Sequence, residues 1–322
     1  MLISEEEYKI HRSLIYSIVL IFEFVGIFGN VNLFCVIWRN PILRSNFGIL
    51  LASLALFQTV CLLFELANMS YGVAATFFSY QIVRSVCFYS TFPVMMAHCL
   101  QTGTICILSL DLFLAILMPI RYRNFHLRWY LPALFFLPFC YGFGITLAGW
   151  IVLDDSRIRM CNPPSSVGPS VAQWWYQLML LFSLLTIFFY SSAFGLLSWK
   201  VGHNESDIRL VERRALRTLQ VLIVFFLLTR FISTGLGTLV TLLRVDPEYA
   251  ALVHSYNVIP AVAAYSQNAY VCFFRSAEYR RLLTEQMALY LPCVYRKMPM
   301  KVAERSTSRL QYDLRSAAPK LF

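Results

Sequence analysis

The chain has 322 residues, of which 58% are hydrophobic and 14% are charged, and its formal net charge is +10. Soluble domains are about 25% charged, so a soluble enzyme of this length would lack the polar residues needed to cover its core. The composition therefore predicts an integral membrane protein and excludes a soluble enzyme, and no enzymatic activity is expected. Because a helix needs about 20 apolar residues to cross a bilayer, seven such helices would leave no room for a second folded domain.

Seven apolar stretches, separated by polar or turn-forming segments, are long enough to be membrane-spanning helices. No stretch repeats another, which disfavours a transporter built from inverted repeats. The pattern predicts an all-α seven-helix bundle within residues 14–274, after an extracellular N-terminus at 1–13. Residues 275–298 are predicted to contain a short amphipathic helix on the inner leaflet, and residues 299–322 a disordered cytoplasmic tail. The seven stretches are 14–37, 47–68, 84–117, 130–152, 172–199, 215–243 and 250–273.

The distribution of the 27 Lys and Arg residues orients the predicted bundle. With the N-terminus outside, 20 of them lie in the inner loops and the C-terminal segment, six lie outside, and Arg230 lies within the sixth stretch. This asymmetry satisfies the positive-inside rule. It also accounts for the net positive charge through contact with membrane lipid, so no nucleic-acid partner is predicted.

Two cysteines lie on the predicted outer side, Cys87 at the start of the third stretch and Cys161 in the second outer loop. Both would face an oxidising compartment, which predicts a disulfide that ties the loop to the third helix. Two unpaired thiols are the alternative. No spacing of Cys and His residues predicts a metal site, and no cofactor is expected.

Three features are typical of rhodopsin-like G-protein-coupled receptors. They are the Gly29-Asn30 pair in the first stretch, the outer cysteine pair, and Asp111 at the end of the third stretch, before the segment from Pro119 to Tyr122. Further motifs resemble the nematode SRSX group of serpentine chemoreceptors, from about residue 20 to about residue 285. These motifs are Gly26 to Leu33, Leu43 to Ser45, Gly48 to Leu51, Cys61 to Glu65, Tyr265 to Asn268 and Arg275 to Arg280.

The resemblance implies a chemosensory receptor of the plasma membrane. Such a receptor binds a small molecule from outside and signals to a heterotrimeric G protein inside. Two alternatives remain open. One is a seven-helix ligand-gated channel or transporter, although the charge distribution opposes the inside N-terminus of insect-type odorant channels. The other is a decayed receptor that folds without coupling to a G protein.

The chain departs from the resembled class at its activation switches. Leu112 stands where the class has an arginine, Gln58 stands where an aspartate is usual, and Asn268 precedes Ala269 instead of a proline. The resemblance implies structural-switch roles for Asn30, Gln58 and Asn268. The loss of the arginine predicts weak, atypical coupling, and the loss of the carboxylate predicts that sodium is not an allosteric ion.

The predicted G-protein interface lies at the inner end of the bundle. It combines the segment from Asp111 to Tyr122 with the basic run from Arg209 to Arg217 and the segment from Arg275 to Arg281. Without an adjacent arginine, Asp111 is expected to pair with Arg121, Arg123 or a residue of the third inner loop. The interface residues are Asp111, Leu112, Tyr122, Arg213, Arg214 and Arg217.

Ionisable groups at membrane depth are costly, so they are candidates for functional residues. Glu65 and Arg230 could approach one another in the outer half of the bundle. An apposed pair could hold a polar ligand. The alternatives are a purely structural ion pair and side chains that extend to the outer interface.

A second set of ligand-binding candidates lies on the third stretch, where His98 shares a helical face with Val94 and Met95. Small ligands bind at this face in the resembled class, although a hydrogen-bonded core histidine is the alternative. Val94 replaces the aspartate of amine receptors, and the seventh stretch lacks the lysine that binds retinal. Tyr256 belongs to a set of aromatic residues at the outer mouth, which favours an apolar or weakly polar ligand.

Overall fold

The computed structural model describes residues 5–78, 80–158, 161–201, 253 and 255–290, together with 220–229 except 222 and 226. These residues are almost entirely helical. The long helices are α1 (Glu5–Arg39), α2 (Asn46–Phe78), α3 (Arg84–Leu117), α5 (Leu127–Ile151) and α7 (Pro169–Val201). The shorter elements are a 3-10 turn (Pro41–Leu43), α4 (Pro119–Arg123), α6 (Pro163–Ser166), α8 (Val258–Ser266), α9 (Asn268–Arg275), α10 (Ala277–Tyr290), β1 (Ile82–Val83) and β2 (Arg157–Ile158).

Five of the described helices are long and apolar enough to cross a bilayer: α1, α2, α3, α5 and α7. Their outward faces carry large apolar side chains such as Phe24, Phe136 and Phe188, each more than 60% exposed. So large an exposed apolar surface is unfavourable in water and is favourable in contact with the lipid of a bilayer. The described part of the predicted sixth stretch, within residues 220–229, is helical, and α8 with α9 covers much of the seventh.

The boundaries of α3 agree with the predicted stretch 84–117, whereas α2 does not end where the sequence indicates. The predicted loop at 69–83 is wrong over most of its length, because α2 continues to Phe78. Polar residues there bond within the helix: Ser70 Oγ donates to the Ala67 carbonyl, and Thr76 Oγ donates to the Gly72 carbonyl. Because these hydroxyl groups form hydrogen bonds with carbonyls of their own helix, their polarity does not end the helix.

Helix α3 lies at the centre of the described bundle, between α2, α5 and α7. Residues on all its faces are buried, as expected for a central helix. It crosses α5 closely at Gly103, where an added Cβ would overlap the ring of Pro138. Glycine is therefore required at this crossing.

Helix α10 packs against the end of α1 that is remote from the disulfide. Tyr279 and Leu283 are buried in a cluster with Leu33 and Ile37 of α1. Arg280 donates from Nε to the Phe273 carbonyl at 3.0 Å, which satisfies a carbonyl at the end of α9. The predicted amphipathic segment is thus helical over Ala277–Tyr290, and residues 291–298 lie outside the described part of the chain.

The loop between α5 and α7, residues 152–168, folds back over the opposite end of the bundle. Its strand β2 pairs with β1 in antiparallel register, Ile82 opposite Ile158 and Val83 opposite Arg157. The predicted disulfide is confirmed, because the sulfurs of Cys87 and Cys161 are bonded at 2.09 Å. We call this end of the bundle the disulfide end and the other the α10 end.

We expect replacement of Cys87 or Cys161 by Ser to lower the amount of folded protein at the cell surface. The disulfide joins segments 74 residues apart, and native disulfides typically stabilise small domains by about 2–5 kcal/mol. Surface labelling of an N-terminal tag measures the effect. Replacement of the free, exposed Cys140 is the control and should leave expression unchanged. Thiol labelling of both residues in the native protein would contradict the pairing.

A polar cluster holds the same loop next to the disulfide. Arg84 Nη1 donates to Asp154 Oδ2 at 2.5 Å. The hydroxyl and the backbone N–H of Ser156 donate to Oδ1 of the same carboxylate, and with Arg84 they hold the pKa of Asp154 below its usual value. A carboxylate whose pKa is lowered by folding stabilises the folded state only while it is ionised.

The contribution of Asp154 should therefore be complete above the usual aspartate pKa of about 3.9 and disappear as the pH falls through its lower folded-state value. We expect Asp154→Asn to have a slightly lower Tm than the unmodified protein at pH 7 and pH 5. The difference should shrink as the pH falls below the usual aspartate pKa of about 3.9. A difference that did not change with pH would contradict the assignment.

Candidate functional site

A small cavity lies at the disulfide end, between α1, α2, the residues that begin α8, and the α5–α7 loop. Its volume of about 40 Å³ leaves room for roughly two or three water molecules. Its wall combines apolar side chains with a cation and a carboxylate. The lining residues are Arg12, Ile15, Tyr16, Val19, Glu65, Asn68, Met69, Gly72, Cys161, Asn162, Ser255 and Val258.

Arg12 supplies the cation of this cavity. The residue is only 5% exposed, and its Nη1 donates to Ser255 Oγ at 2.7 Å. The guanidinium carbon lies 5.5 Å from the ring centroid of Tyr8 and 5.6 Å from that of Tyr16, within cation–π range. Its Nε is buried and has no hydrogen-bond partner among the described residues.

The sequence pattern does not single out Arg12, because the first apolar stretch begins only at residue 14. The helix begins earlier, at Glu5. A signal was present in the spacing of Arg12, Ile15, Val19 and Glu23, which recur every three or four residues and therefore share one helical face. That face is the buried one. Continuing the helical period outward from the first apolar stretch would have placed Arg12 inside the bundle.

Glu65 supplies the carboxylate. Its Oε2 accepts a hydrogen bond from Asn68 Nδ2 at 3.1 Å. Neither Glu65 nor Arg12 forms an ion pair, within 4.0 Å, with any residue that the structure describes. The expected partner Arg230 lies outside the described residues. The structure thus places Glu65 on the same cavity as a different cation, Arg12.

Glu23 is a second carboxylate on the buried face of α1. It is fully buried, and both its oxygens lack a hydrogen-bond partner in the described part of the chain. Burial without a partner is costly for a charged carboxylate. Glu23 is outside the lining of the cavity, so it belongs to the environment of the site and not to its wall.

The candidates on α3 lie in the packed core of the bundle. Val94, Met95 and His98 are each less than 5% exposed. The His98 ring makes edge contacts with Trp175, at 5.0 Å between centroids, and with Tyr265, at 6.1 Å. These three residues are outside the lining of the cavity at the disulfide end.

Tyr256 lies beside the cavity residue Ser255. Its hydroxyl is 2.8 Å from His11 Nδ1, and the two rings are nearly perpendicular. Tyr256 therefore joins α1 to the segment that precedes α8. This contact lies next to the Arg12–Ser255 hydrogen bond, so the start of α1 is held at two adjacent positions.

The three proposed switch residues form buried hydrogen bonds between helices. Asn268 Nδ2 donates to Gln58 Oε1 at 2.5 Å, which links α9 to α2. Asn30 Nδ2 donates to the Tyr265 carbonyl at 2.8 Å, which links α1 to α8. Gln58 and Asn268 therefore satisfy each other directly, at the place where the resembled class is expected to hold an ion.

We expect sodium to have no specific effect on this protein. A glutamine carbonyl compensates poorly for the dehydration of a cation, and here it already accepts a hydrogen bond from Asn268. The Tm of the purified protein should be equal in sodium chloride and in N-methyl-D-glucamine chloride at the same ionic strength. Gln58→Asp, which adds a carboxylate, should acquire a sodium-specific rise in Tm. A sodium-specific rise in the unmodified protein would contradict this expectation.

At the α10 end, Asp111 is bound by tyrosine hydroxyls. Its Oδ1 accepts hydrogen bonds from the Tyr122 hydroxyl at 2.8 Å and the Tyr130 hydroxyl at 2.9 Å. Of the expected partners of Asp111, Arg121 is wrong, because its side chain is exposed and forms no ion pair with Asp111 within 4.0 Å. The Arg123 side chain and the third inner loop lie outside the described part of the chain. A phenol can satisfy a buried carboxylate without placing a second full charge in the bundle, which is why tyrosine suits this position.

Leu112 lies in an apolar cluster that joins α2, α3 and α7. It is 6% exposed and packs with Leu50, Leu108 and Leu197. The leucine thus acts as a core residue where the resembled class has an arginine. The predicted interface residues Arg213, Arg214 and Arg217 lie outside the described residues.

The family of the chain follows from its sequence match. The family model described as serpentine type 7TM GPCR chemoreceptor Srsx matches residues 23–287. The chain belongs to this Srsx family. The match confirms the resemblance drawn from the sequence motifs, and with the apolar helices it identifies a multi-pass membrane protein of a chemoreceptor family. No curated protein matches the chain.

The Srsx family match covers some residues of the candidate site and leaves others outside it. The matched segment begins at Glu23 and ends near the end of α10, so it includes Glu65 and Asp111 but not Arg12. Arg12 is thus a feature of this chain that the family match does not cover.

Proposed function

We propose that this Srsx protein is a chemosensory receptor of the plasma membrane. It binds an extracellular small molecule at the disulfide end and signals to a heterotrimeric G protein at the α10 end. Its seven helices cross the membrane with the N-terminus outside, and α10 is an eighth helix that lies on the inner leaflet. The excess of Lys and Arg in the segments assigned to the inside supports this orientation.

The observation that carries the proposal is the cavity at the disulfide end, which contains Arg12 and Glu65 beneath an anchored loop. Charged groups at membrane depth are rare in proteins and mark binding sites or relays. The disulfide between Cys87 and Cys161 fixes this loop to α3 beside the cavity, whose lining includes Cys161 and Asn162. A preformed polar site of this kind favours binding, because little conformational entropy is lost when a ligand enters.

The proposed mechanism is a shift between two arrangements of the helices. A ligand that contacts α1, α2 and α8 favours the arrangement in which those contacts are best made, and the G protein favours the same one. The Gln58–Asn268 hydrogen bond lies between the two ends and joins α2 to α9, whereas the Asn30–Tyr265 hydrogen bond joins α1 to α8. The Gln58–Asn268 bond is positioned to break or re-form during the shift.

The residues His98, Val94 and Met95 form the deeper part of the proposed ligand pathway, and Tyr256 its rim. In the packed arrangement the His98 ring is enclosed by Trp175 and Tyr265. Ligand entry to this depth would require these aromatic rings to move apart. The proposed G-protein surface combines Asp111, Leu112 and Tyr122 with Arg213, Arg214 and Arg217.

The test is ligand-dependent signalling in cells that express the receptor with a promiscuous G protein. A panel of small odorants of defined chemical class is applied, with tags on both termini to measure topology and surface expression. We expect a dose-dependent response that Glu65→Gln reduces about tenfold in potency, as loss of a buried charge contact would produce. Glu6→Gln, an exposed change on α1, is the matched control. An intracellular N-terminus would contradict the proposal and favour a channel.

A second candidate function is a receptor that binds ligand but does not activate a G protein. It is favoured by one observation, the burial of Leu112 in an apolar cluster where an arginine is usual. Ligand-induced thermal stabilisation without nucleotide exchange on any purified heterotrimer would support it. Exchange above the receptor-free rate would exclude it.

A further inference from the structure

The cavity at the disulfide end presents two opposite charges that are not paired with each other. Arg12 is buried and uses one nitrogen to bond Ser255, while its Nε has no partner among the described residues. Glu65 accepts one hydrogen bond from Asn68 and lines the same space. A cation and a carboxylate within ion-pair distance would satisfy each other, but here the two residues form no ion pair within 4.0 Å, and both line the cavity.

We propose that this cavity binds the head group of a small zwitterion, with its carboxylate on Arg12 and its ammonium on Glu65. The inference rests on the proposed receptor function and names the chemical class of its ligand. It goes beyond the expectation of an apolar or weakly polar ligand, which came from the aromatic residues near the entrance.

The charges of the wall select this class. A simple anion would gain from Arg12 but would be repelled by Glu65, and a simple cation would meet the reverse situation. A molecule that carries both charges gains from both contacts and leaves the site neutral. Because burial makes each unpaired charge costly, the gain from pairing both is larger than the gain from pairing either alone.

The donor geometry supports a carboxylate at Arg12. A guanidinium has five N–H groups and binds carboxylates through two parallel hydrogen bonds. Nη1 uses one of its two N–H groups on Ser255, which leaves other N–H groups of the guanidinium for a carboxylate. The rings of Tyr8 and Tyr16 hold the guanidinium plane in place, so the remaining donors are oriented before a ligand arrives.

The volume sets an upper limit on the head group. A cavity of about 40 Å³ accepts only a few non-hydrogen atoms. We therefore expect the most compact zwitterion, with one carbon atom between the ammonium and the carboxylate, to fit best, and the affinity to fall as the separation grows to three carbon atoms. A longer ligand would extend its remaining atoms toward the opening.

The test uses purified, detergent-solubilised full-length receptor and the series glycine, β-alanine and γ-aminobutyrate. Thermal unfolding is followed with each zwitterion and with two controls of similar size, ethylamine and propionate, which each carry one charge. We expect at least one zwitterion to raise Tm by about 5 °C at a concentration about 100 times its Kd, with no shift from the controls. No shift from any of the three zwitterions, or equal shifts from the controls, would overturn the proposal.

Variants test whether the rise in Tm results from binding of the zwitterion in the cavity. Arg12→Gln and Glu65→Gln should each weaken zwitterion binding by about 30-fold or more. The exposed replacements Lys9→Gln and Glu6→Gln change the same charges on the same helix as Arg12 and should leave the Kd unchanged. If Arg12→Gln fails to fold, Arg12→Lys keeps the charge but loses the fork of donors, and it should also weaken binding. Unchanged binding in the cavity variants would overturn the assignment.

The outcome is separable from that of the receptor proposal. If uncharged odorants elicit a G-protein signal and zwitterions neither bind nor signal, the receptor function stands and the zwitterion site is wrong. If a zwitterion binds through Arg12 and Glu65 but no G protein is activated, the site stands and the signalling function is wrong.

Discussion

Replacement of Leu112 by arginine is expected to raise G-protein activation about tenfold while lowering the stability of the receptor. An arginine at this position in the resembled class extends toward the G protein, which a leucine cannot do. One charge contact contributes about 1–3 kcal/mol, and about 1.4 kcal/mol corresponds to a tenfold change in an equilibrium. The stability cost arises because Leu112 is packed against Leu108 and Leu197 in an apolar cluster, where a charged side chain is poorly accommodated.

The measurement is nucleotide exchange on purified heterotrimer, with and without an activating ligand, at matched amounts of folded receptor. Leu112→Met is the control, because it conserves volume and should cost less than about 1.5 kcal/mol without changing exchange. Thermal unfolding reports stability for both variants. If the unmodified receptor activates the G protein as strongly as Leu112→Arg, another residue performs the role of the arginine.

Removal of both tyrosine hydroxyls at Asp111 is expected to have the largest effect on stability. Asp111 is 2% exposed and accepts hydrogen bonds from Tyr122 and Tyr130. A hydrogen bond to a charged group contributes about 1.5–3 kcal/mol. The Tyr122→Phe, Tyr130→Phe double variant should therefore lose about 3–5 kcal/mol of unfolding free energy, because the carboxylate keeps its burial and loses these partners.

A double-mutant cycle with Asp111→Asn tests the cause. In that background each tyrosine replacement should cost about 0.5–1.5 kcal/mol, the value for a neutral hydrogen bond. Unfolding in urea or by heat, with each variant in the same detergent, gives the free energies. Equal costs in the Asp and Asn backgrounds would show that the tyrosines act through ring packing alone.

Much of the helical architecture follows from the sequence, because lipid imposes a simple rule on it. A chain in a bilayer must bond its backbone internally over about 20 residues, and apolar length records this directly. The bounds of α3 and the Cys87–Cys161 pair were therefore predictable. The end of α2 was not, since Ser70 and Thr76 are polar in composition but bond back to their own helix.

The candidate site was less predictable, because it depends on which side chains meet across helices. Glu65 was recognisable as an ionisable group in an apolar stretch, but the spacing of the sequence does not tell which cation shares its cavity. Similarly, Asp111 was expected to need a basic partner, and two tyrosine hydroxyls fill that place. The presence of a tyrosine in an apolar segment does not indicate whether its hydroxyl faces lipid or a carboxylate.

Helix α1 is hydrogen-bonded to the C-terminal part of the chain at positions from His11 to Asn32, and this has a mechanical consequence. Hydrogen bonds join α1 to the segment before α8, to α8 and α9, and to α10. We therefore expect these parts to move together as one rigid unit. A displacement at Arg12 would then be transmitted along α1 to the end against which α10 packs, because twenty residues of helix rise about 30 Å. A rearrangement of the receptor would then be a movement of the other helices relative to this rigid unit. The fastening pairs are His11 with Tyr256, Arg12 with Ser255, Phe22 with Ser266, Val25 with Tyr270, Asn30 with Tyr265 and Asn32 with Gln286.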